Sequence, residues 1–217
     1  MHIKKLSHCC LVIDIPTKEG KQVRLVMDPG SYSIEQHDKI AHADIVLITH
    51  EHADHFHLES LKSLVKRSKD IAIITNDAVG EMLAKEGVEH RVMKHGNGID
   101  VKGVHIEAYG KEHALIHSSI PPVSNVGFFI ENRFFFPGDA FTDPKREIDV
   151  LALPVAGPWM KLSEAVDYAL ALKPRLAFPV HDAVMPIPTV HLVPEKILSK
   201  NGIEFIKLEN GGELDIK

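Results

Sequence analysis

The sequence Thr-His-Glu-His-Ala-Asp-His occupies positions 49–55 and holds the densest group of chemically active side chains in the protein. Four of the 15 histidines lie between His50 and His57. The apolar residues at positions 45–48 directly precede this stretch, and such a run predicts a short strand buried on both faces. Apolar residues recur at helical spacing from Leu58 to Val65, so we place the stretch on a loop between a strand and a helix.

The spacing of these side chains indicates a metal site. His50, His52 and Asp54 are two residues apart, so on an extended loop they project to the same side. His55 breaks this alternation where the helix should begin and points to a neighbouring position. Three imidazoles and one carboxylate suit Zn²⁺, Mn²⁺ or Fe. The competing interpretation is a solvated, histidine-rich loop, and the strand–loop–helix context favours metal binding over it.

Length and composition indicate one soluble globular domain over residues 1–217. Of the 217 residues, 44% are hydrophobic and 25% are charged, and no low-complexity segment or linker divides them. No apolar run approaches the ~18 residues that span a bilayer. His8 and Asp14 interrupt the apolar stretch near the N-terminus, so we expect no secretory signal there.

The cysteine count favours a cytoplasmic protein, and the charge bears on the kind of partner that it binds. Cys9 and Cys10 are the only cysteines, which excludes a disulfide framework. They alternate across a predicted strand and are expected to be small core residues. The formal net charge of −5 argues against binding that depends mainly on neutralising phosphates, although a local basic patch is compatible with it. We therefore expect no membrane contact, a nucleic-acid partner is the less favoured alternative that stays open, and the sequence carries no signal of oligomeric state.

Strand and helix signals alternate along the whole chain. Besides 45–48, we predict strands over 8–15, 23–27, 71–74, 104–108, 128–136 with a hairpin turn at 131–133, 148–155 and 176–180. We predict helices from about 58, from a cap at residue 76 or 77 to residue 85, from a cap at Ser163 to residue 172, and over 195–200 after Pro194. A small hairpin is expected across residues 210–212.

About ten strands with four or five interspersed helices indicate an α/β (α+β) protein. In this interpretation helices cover two sheets, which gives a four-layer αββα sandwich. A single doubly wound sheet is the competing topology, and the β-rich segment from residue 90 to 136 makes it the weaker one.

The pattern His-x-His-x-Asp-His at positions 50–55 resembles the signature of the metallo-β-lactamase superfamily, and later segments match in the same order. Asp28-Pro29-Gly30 is similar to an acidic turn that supports a ligand, Gly138-Asp139 to the carboxylate that bridges two metals, and Pro179-Val180-His181 to the last histidine ligand. The likeness runs from residue 8 to residue 181. Within the superfamily it is strongest to the small hydrolases that resemble ascorbate-6-phosphate lactonase. It implies the metallo-β-lactamase fold and a metal-dependent hydrolase.

The superfamily also uses one histidine between the first motif and the bridging aspartate. His105, His113 and His117 are the candidates, and we favour His113, at the edge of a loop, followed by His117. The expected cofactors are two divalent cations, Zn²⁺ before Mn²⁺. The resemblance then implies one metal held by His50, His52 and His113, a second held by Asp54, His55 and His181, and Asp139 between them.

The implied activity is hydrolysis by a metal-bridged hydroxide. Two cations ~3.5–4 Å apart can share a water and lower its pKa toward ~7. Asp54 is expected to be the catalytic residue, because a carboxylate beside this water can orient it and accept its proton. An ester, a lactone or a phosphodiester of a small molecule suits such a site. A small nuclease or phosphodiesterase and a non-catalytic metal-binding sensor of the same fold stay open.

Segment lengths argue against three other activities of the superfamily. The 41 residues between Asp139 and His181 are too few for the inserted domain of RNA-processing nucleases. The 36 residues after His181 are too few for the helical domain of glyoxalase II-type thioesterases. A diiron oxidoreductase would favour Glu at position 52. A mononuclear iron oxygenase is a further interpretation, which metal content would separate from a hydrolase.

Four other residues have two interpretations each. His8 either faces the metal site or lies on a strand face. Asp182 either orients His181 or is an exposed turn carboxylate, which is the commoner case. Trp159, the only tryptophan, is either buried or part of an apolar substrate wall. His191 either is an ordinary residue at the surface or partly buried, which is the favoured case, or lines the cleft.

Overall fold

The structure is a computed structural model that describes residues 1–185 and 188–217. In these residues fourteen strands form two seven-stranded sheets. The strands are β1 His2–Ser7, β2 Cys10–Pro16, β3 Gln22–Met27, β4 Ile45–Leu47, β5 Ala72–Thr75, β6 Arg91–Val92, β7 Gly98–Val101, β8 Val104–Tyr109, β9 Gly127–Ile130, β10 Phe134–Phe136, β11 Val150–Pro154, β12 Leu176–Val180, β13 Glu204–Phe205 and β14 Glu213–Asp215. The helices are α1 Ile34–His37, α2 Leu58–Arg67, α3 Asp77–Lys85, α4 Leu162–Leu172 and α5 Thr189–Lys200.

Each sheet has an antiparallel half and a parallel half. The first sheet runs β14-β1-β2-β3-β4-β5-β6, with β3 to β6 parallel. The second runs β13-β12-β11-β10-β9-β8-β7, with β10 to β13 parallel. Four of the helices connect β4 with β5, β5 with β6, β11 with β12 and β12 with β13. Because the strands in each parallel half end at the same edge, the loops that leave them lie together there.

The apolar residues form four layers by alternation along the strands. In β2, Leu11 and Ile13 face a cluster that both sheets share, whereas Val12 faces a second cluster under α2 and α3. A third cluster joins the outer face of the second sheet to α4 and α5. Helices therefore cover the outer face of each sheet. This arrangement confirms the predicted α/β class and the αββα sandwich.

The predicted strands and helices of the central chain are confirmed, but the first strand is not. Residues 8–15 were predicted as one strand, whereas His8 and Cys9 form a turn between β1 and β2. His8 has a φ of 53°, a left-handed conformation that a strand does not contain. The apolar residues near His8 are typical of a strand, so the sequence pattern does not reveal this turn. Cys9 and Cys10 are both buried and face different clusters, as expected of small core residues.

Two helix starts and the C-terminal hairpin also differ from the predictions. Ser163 lies inside the first turn of α4, where Glu164 instead accepts a 2.6 Å hydrogen bond from the backbone N–H of Lys161. The last helix begins at Thr189, so Pro194 lies within it. The glycines at 211 and 212 do not form a hairpin, because β13 pairs with β12 and β14 pairs with β1. Turn residues predict a reversal, and they carry no information about the strand that follows.

No helix in residues 1–185 and 188–217 is both long and apolar enough to cross a lipid bilayer.

Candidate metal centre

The loops at the ends of the parallel strands bring all seven predicted ligands into one buried cluster. The loop after β4 supplies four of them, and the loops after β8, β10 and β12 supply one each. Of the three candidate histidines between the first motif and Asp139, only His113 lies in this cluster. His105 contacts Asp100 and Glu107 on the surface of the second sheet, and the exposed His117 contacts Ser119.

The ligands fall into two groups with one carboxylate between them. In the first group, nitrogen atoms of His50, His52 and His113 lie within 4.8 Å of one another and of a carboxylate oxygen of Asp139. We call these three histidines the first ligand group. The second ligand group consists of Asp54, His55 and His181, whose ligand atoms also lie within 4.8 Å of one another and of a ring nitrogen of His8.

Asp139 joins the two groups. Its Oδ2 lies 3.2 Å from Nε2 of His113 and 2.9 Å from Nε2 of His181, and its Oδ1 lies 3.1 Å from Nε2 of His55. The side chain is 2% exposed, so solvent screens these contacts very little. A carboxylate in this position can contact a cation in each group.

Hydrogen bonds fix the tautomers of three of the histidines. His55 Nδ1 lies 2.7 Å from the Asp28 carboxylate, and His113 Nδ1 lies 2.5 Å from the backbone carbonyl of Ala114. Carboxylate and carbonyl oxygens accept only, so both Nδ1 atoms carry the hydrogen. Thr49 Oγ1 donates to Asp28 at 2.7 Å and therefore accepts from His50 Nδ1 at 2.9 Å. In a neutral ring, Nε2 of each of these histidines then presents a lone pair to the centre.

Three buried polar atoms at the centre have no hydrogen-bond partner in the described chain: His55 Nε2, His181 Nε2 and Asp139 Oδ1. Each nevertheless lies within about 3 Å of another acceptor site, which is repulsive unless a cation or a proton lies between the two atoms. The same holds for His50 Nε2 and His52 Nδ1, which are 3.1 Å apart. The donor set is nitrogen and oxygen without thiolate charge, and it fits Zn²⁺, Mn²⁺ or Fe²⁺.

The two ligand groups differ in protonation. Burial lowers the pKa of His50 well below its usual value and also lowers the pKa of His52. Burial acts in the same direction on His55, but the negative charge of Asp139 and the hydrogen bonds to Asp139 and Asp28 act together against it, and the pKa of His55 lies well above its usual value. The same balance raises the pKa of His181 to about 9. In the absence of a cation, His55 and His181 therefore hold protons at neutral pH, whereas His50 and His52 are neutral.

His8 faces the second ligand group, which resolves the choice left open by the sequence. The backbone N–H of Ala183 donates to His8 Nδ1 at 3.3 Å, so the hydrogen of the neutral ring is on Nε2. Nε2 then donates to Asp54 Oδ2 at 3.2 Å. Burial lowers the pKa of His8 to about 4, which keeps the ring neutral. His8 therefore hydrogen-bonds a member of the group and has no free lone pair aimed at a cation.

Backbone strain concentrates around the same centre. Asp28, His8 and His181 have φ values of 39°, 53° and 59°, which are uncommon for residues with a side chain. Gly30 is required by close approach, because a Cβ there would lie 1.8 Å from the backbone oxygen of Asp54. Gly138 has a φ of 67° and leaves no room for a Cβ against Asn125. Gly30 and Gly138 thus let the loops that carry the predicted ligands pack directly together.

Sequence reasoning missed two asparagines that hold these loops. Asn125 is fully buried, accepts from the backbone N–H of Asp139 at 3.1 Å and donates to the carbonyl of Pro137 at 2.9 Å. Asn76, expected only as a helix cap, caps α3 and also donates to the carbonyls of Thr49 and Ser124. A single asparagine in a sequence carries no signal of this role, because its partners are distant along the chain.

Sequence reasoning also missed a buried lysine behind the second ligand group. Lys5 is 0% exposed, and its Nζ donates to Asp182 at 2.7 Å and to the carbonyls of Pro179 and Leu208. His191 contacts the same oxygen of Asp182 at 2.8 Å and is partly buried. The expectation that Asp182 is an exposed turn carboxylate is wrong, because this ion pair buries it. The pair fixes the turn that presents His181.

A cavity of about 320 Å³ opens onto the metal centre. Asp54 lines it and, with 24% of its side chain exposed, is more open to solvent than Asp139. Trp159 is buried, as one of its two interpretations expects, and it also forms part of the cavity wall. Its indole N–H donates to Asp139 Oδ2 at 3.0 Å.

Cys9 lies beneath the centre, with its sulfur within 4.8 Å of ligand atoms of His55 and Asp139. Burial raises the pKa of the Cys9 thiol to about 12, and it does the same for Cys10. Both thiols are therefore neutral at physiological pH in the metal-free protein, which suits packing better than nucleophilic chemistry.

Comparisons with known proteins agree with this geometry. The family described as "Beta-lactamase superfamily domain" matches residues 2–181. Protein Rv0786c of Mycobacterium tuberculosis is 33% identical over 190 residues, which cover 85% of each chain. The UPF0173 metal-dependent hydrolase NEQ378 of Nanoarchaeum equitans is 25% identical over all of both chains. Among solved structures, the metallo hydrolase Igni18 of Ignicoccus hospitalis has a TM-score of 0.75 at 18% identity over all of both chains, which is a likeness of fold.

Proposed function

Because the chain belongs to the metallo-β-lactamase superfamily, as its motifs predicted, we propose that it is a metal-dependent hydrolase with two divalent cations. We propose Zn²⁺ as the cation and Mn²⁺ as the alternative. His50, His52 and His113 would hold one cation, Asp54, His55 and His181 the other, and Asp139 would contact both. The narrower likeness to ascorbate-6-phosphate lactonase stays a prediction.

The observation that carries this proposal is the set of inward-facing lone pairs around Asp139. Asp28, Thr49 and the carbonyl of Ala114 take up the Nδ1 hydrogens of His55, His50 and His113, so the remaining nitrogens suit ligation. Such outer partners orient ligating imidazoles in metalloproteins. A degenerate, non-catalytic relative would be expected to lose one of the ligands, whereas all seven candidate residues are present here.

When bound, the two cations would activate a water and polarise the scissile carbonyl or phosphoryl group. Asp54 is the proposed proton acceptor, because its carboxylate reaches the cavity and is the more exposed of the two proposed carboxylate ligands. Burial alone would raise the pKa of Asp54, but the imidazoles of His181 and His8 hold it below its usual range. The carboxylate is therefore ionised and available to orient the water. Trp159 and the buried histidines exclude bulk water from the far side of the centre.

The proposed substrate is a small molecule with an ester, lactone or phosphodiester bond. We place the protein in the cytoplasm, which the two free cysteines support.

Metal analysis and a substrate panel test this function. After loading with Zn²⁺ and desalting, we expect about two cations per chain, as two-metal hydrolases hold. The loaded protein should hydrolyse at least one of p-nitrophenyl acetate, a γ-lactone and bis(p-nitrophenyl) phosphate, and complete chelation should abolish that activity. Activity that survives complete chelation, or a single iron per chain as the only bound metal, would contradict the proposal.

A further inference from the structure

The mouth of the metal-centre cavity is apolar. Tyr32, Ile116 and Val184 line it, and their side chains are 50%, 38% and 37% exposed. Pro158 and Trp159 continue this surface into the cavity. Isolated exposed apolar residues are normal at a protein surface, but a contiguous group around a concave site marks a place where a ligand binds.

The loop that carries His113 also carries Ile116 of this surface. Residues 110–126 connect β8 to β9, which is long for a connection without a helix or strand of its own. Leu115 and Ile120 on this loop are 56% and 50% exposed. Loops of this length in compact domains usually have a binding role. One loop thus presents a proposed metal ligand and a run of unburied apolar side chains.

The charge of the cavity points to the class of substrate. Among the described residues that line it there is no lysine or arginine, and the only ionised acids are Asp54 and Asp139. Sites that recognise phosphate esters generally add arginine or lysine, because these side chains pair with phosphate oxygens. Here the positions around the proposed cations are taken by an aromatic ring and aliphatic chains. Away from the proposed cations, an anionic group on the substrate would lose hydration against these side chains without gaining a charged partner.

We infer that the substrate is an uncharged carboxylic ester or lactone whose acyl chain is apolar. This inference rests on the proposed function. The carbonyl would lie at the metal centre, and the acyl chain would contact Tyr32, Ile116 and Val184. Water would add to the acyl carbon, the acyl C–O bond would break, and one proton from water would pass by way of Asp54 to the departing alkoxide. The products are a carboxylate, a released proton and an alcohol.

The test uses the single tryptophan as a reporter of binding. Trp159 lies in the cavity wall, so its fluorescence should respond to ligands without interference from another tryptophan. We would titrate the Zn²⁺-loaded protein with straight-chain alkyl hydroxamates of four to ten carbons. We expect Kd to fall about two- to fourfold for each added methylene, as partial to full burial of a methylene predicts. The same preparation would be assayed on p-nitrophenyl esters of matching chain length and on bis(p-nitrophenyl) phosphate.

Variants assign the chain-length effect to the mouth. Tyr32→Ser combined with Ile116→Ser should remove most of this dependence and leave the zinc content unchanged, since neither residue is a proposed metal ligand. Met82→Ser is the matched control, since Met82 is 39% exposed on α3 and does not line the cavity. This control should keep the full dependence.

The outcomes separate the inference from the proposed function. A Kd that does not change with chain length, or faster hydrolysis of the phosphodiester than of every ester, would overturn the inference and leave the metal-dependent hydrolase in place. A chain-length dependence that the double variant loses, together with no hydrolysis of any compound, would support the apolar site and overturn the hydrolase. Dependence with ester hydrolysis supports both.

Discussion

The two ligand groups meet at one carboxylate, yet they are built differently. The first group consists of three imidazoles, of which His50 and His113 are oriented by a hydroxyl and a backbone carbonyl. The second group contains a carboxylate, Asp54, and His55 lies between two more, Asp28 and Asp139, at 2.7 and 3.1 Å. In the metal-free protein His50 and His52 of the first group are therefore neutral, whereas His55 of the second group carries an additional proton.

This difference in protonation bears on the order in which the two proposed cations would bind. A cation entering the first group displaces little bound charge. A cation entering the second must displace protons from His55 and His181, whose pKa values are raised above their usual value by Asp139. The second group gains in exchange a carboxylate that faces the cavity.

The largest expected effect comes from Asp54→Asn, which removes the carboxylate of the second group. Turnover should fall by about 10²–10⁴-fold, the range that a positioned acid or base contributes, while the fold is retained. The first group should still hold its cation. The exposed carboxylate of Asp143 supplies the control Asp143→Asn. Near-normal turnover of a fully metal-loaded Asp54→Asn protein would remove Asp54 from the mechanism.

The second expected effect is on stability and concerns the support behind the second group. Lys5→Met leaves Asp182 buried without its charged partner and should cost about 3–5 kcal/mol of the free energy of unfolding. Lys4→Met is a close control, because Lys4 makes an exposed ion pair with Glu213 and should change stability by less than about 1 kcal/mol. Chemical denaturation of the metal-free proteins measures both. Equal losses for the two variants would show that the buried pair has no special role.

The smallest expected effect concerns the single hydrogen bond between His8 and Asp54 and is measured as the affinity for the second cation. His8→Phe removes the donor to Asp54 Oδ2 and should weaken binding of the second cation by about 10–100-fold, as loss of such a partner does elsewhere, with the first cation unaffected. His8→Gln keeps a donor and should restore most of the affinity. His105→Phe changes a histidine outside the centre and is the control. If His8→Phe weakened both cations equally, His8 would have only a structural role.

Sequence reasoning predicted best the part of the site whose residues are close together in the sequence. The spacing of the residues in the first motif already predicts a metal site, and these residues are His50, His52, Asp54 and His55. The order of Asp139 and His181 along the chain matches one superfamily. The tautomer partners are less visible. The carbonyl of Ala114 is backbone, which no side-chain pattern encodes, and Asn125 meets Asp139 only after the second sheet has formed.

The errors in the fold have a related physical origin. The turn at His8 is hidden by apolar neighbours on both sides, and only the left-handed φ of His8 distinguishes it from a strand. The Asn-Gly-Gly sequence at 210–212 predicts a reversal correctly, but β14 pairs with β1 from the other end of the chain. Local propensity cannot select between partners that are 200 residues apart. Lys5 illustrates the same point, since a lysine in a strand is usually exposed.

The measurement that tests the account most directly is a stepwise calorimetric titration of the metal-free protein with Zn²⁺ at pH 7, repeated in buffers of different ionisation enthalpy. We expect two equivalents, with the second releasing more protons than the first, and an affinity for the second that rises with pH by about tenfold per pH unit for each proton displaced. The sign follows from the raised pKa values of His55 and His181, because the protons that compete with the cation are lost as pH rises. A single equivalent, or equal proton release and equal pH dependence for the two, would contradict the account.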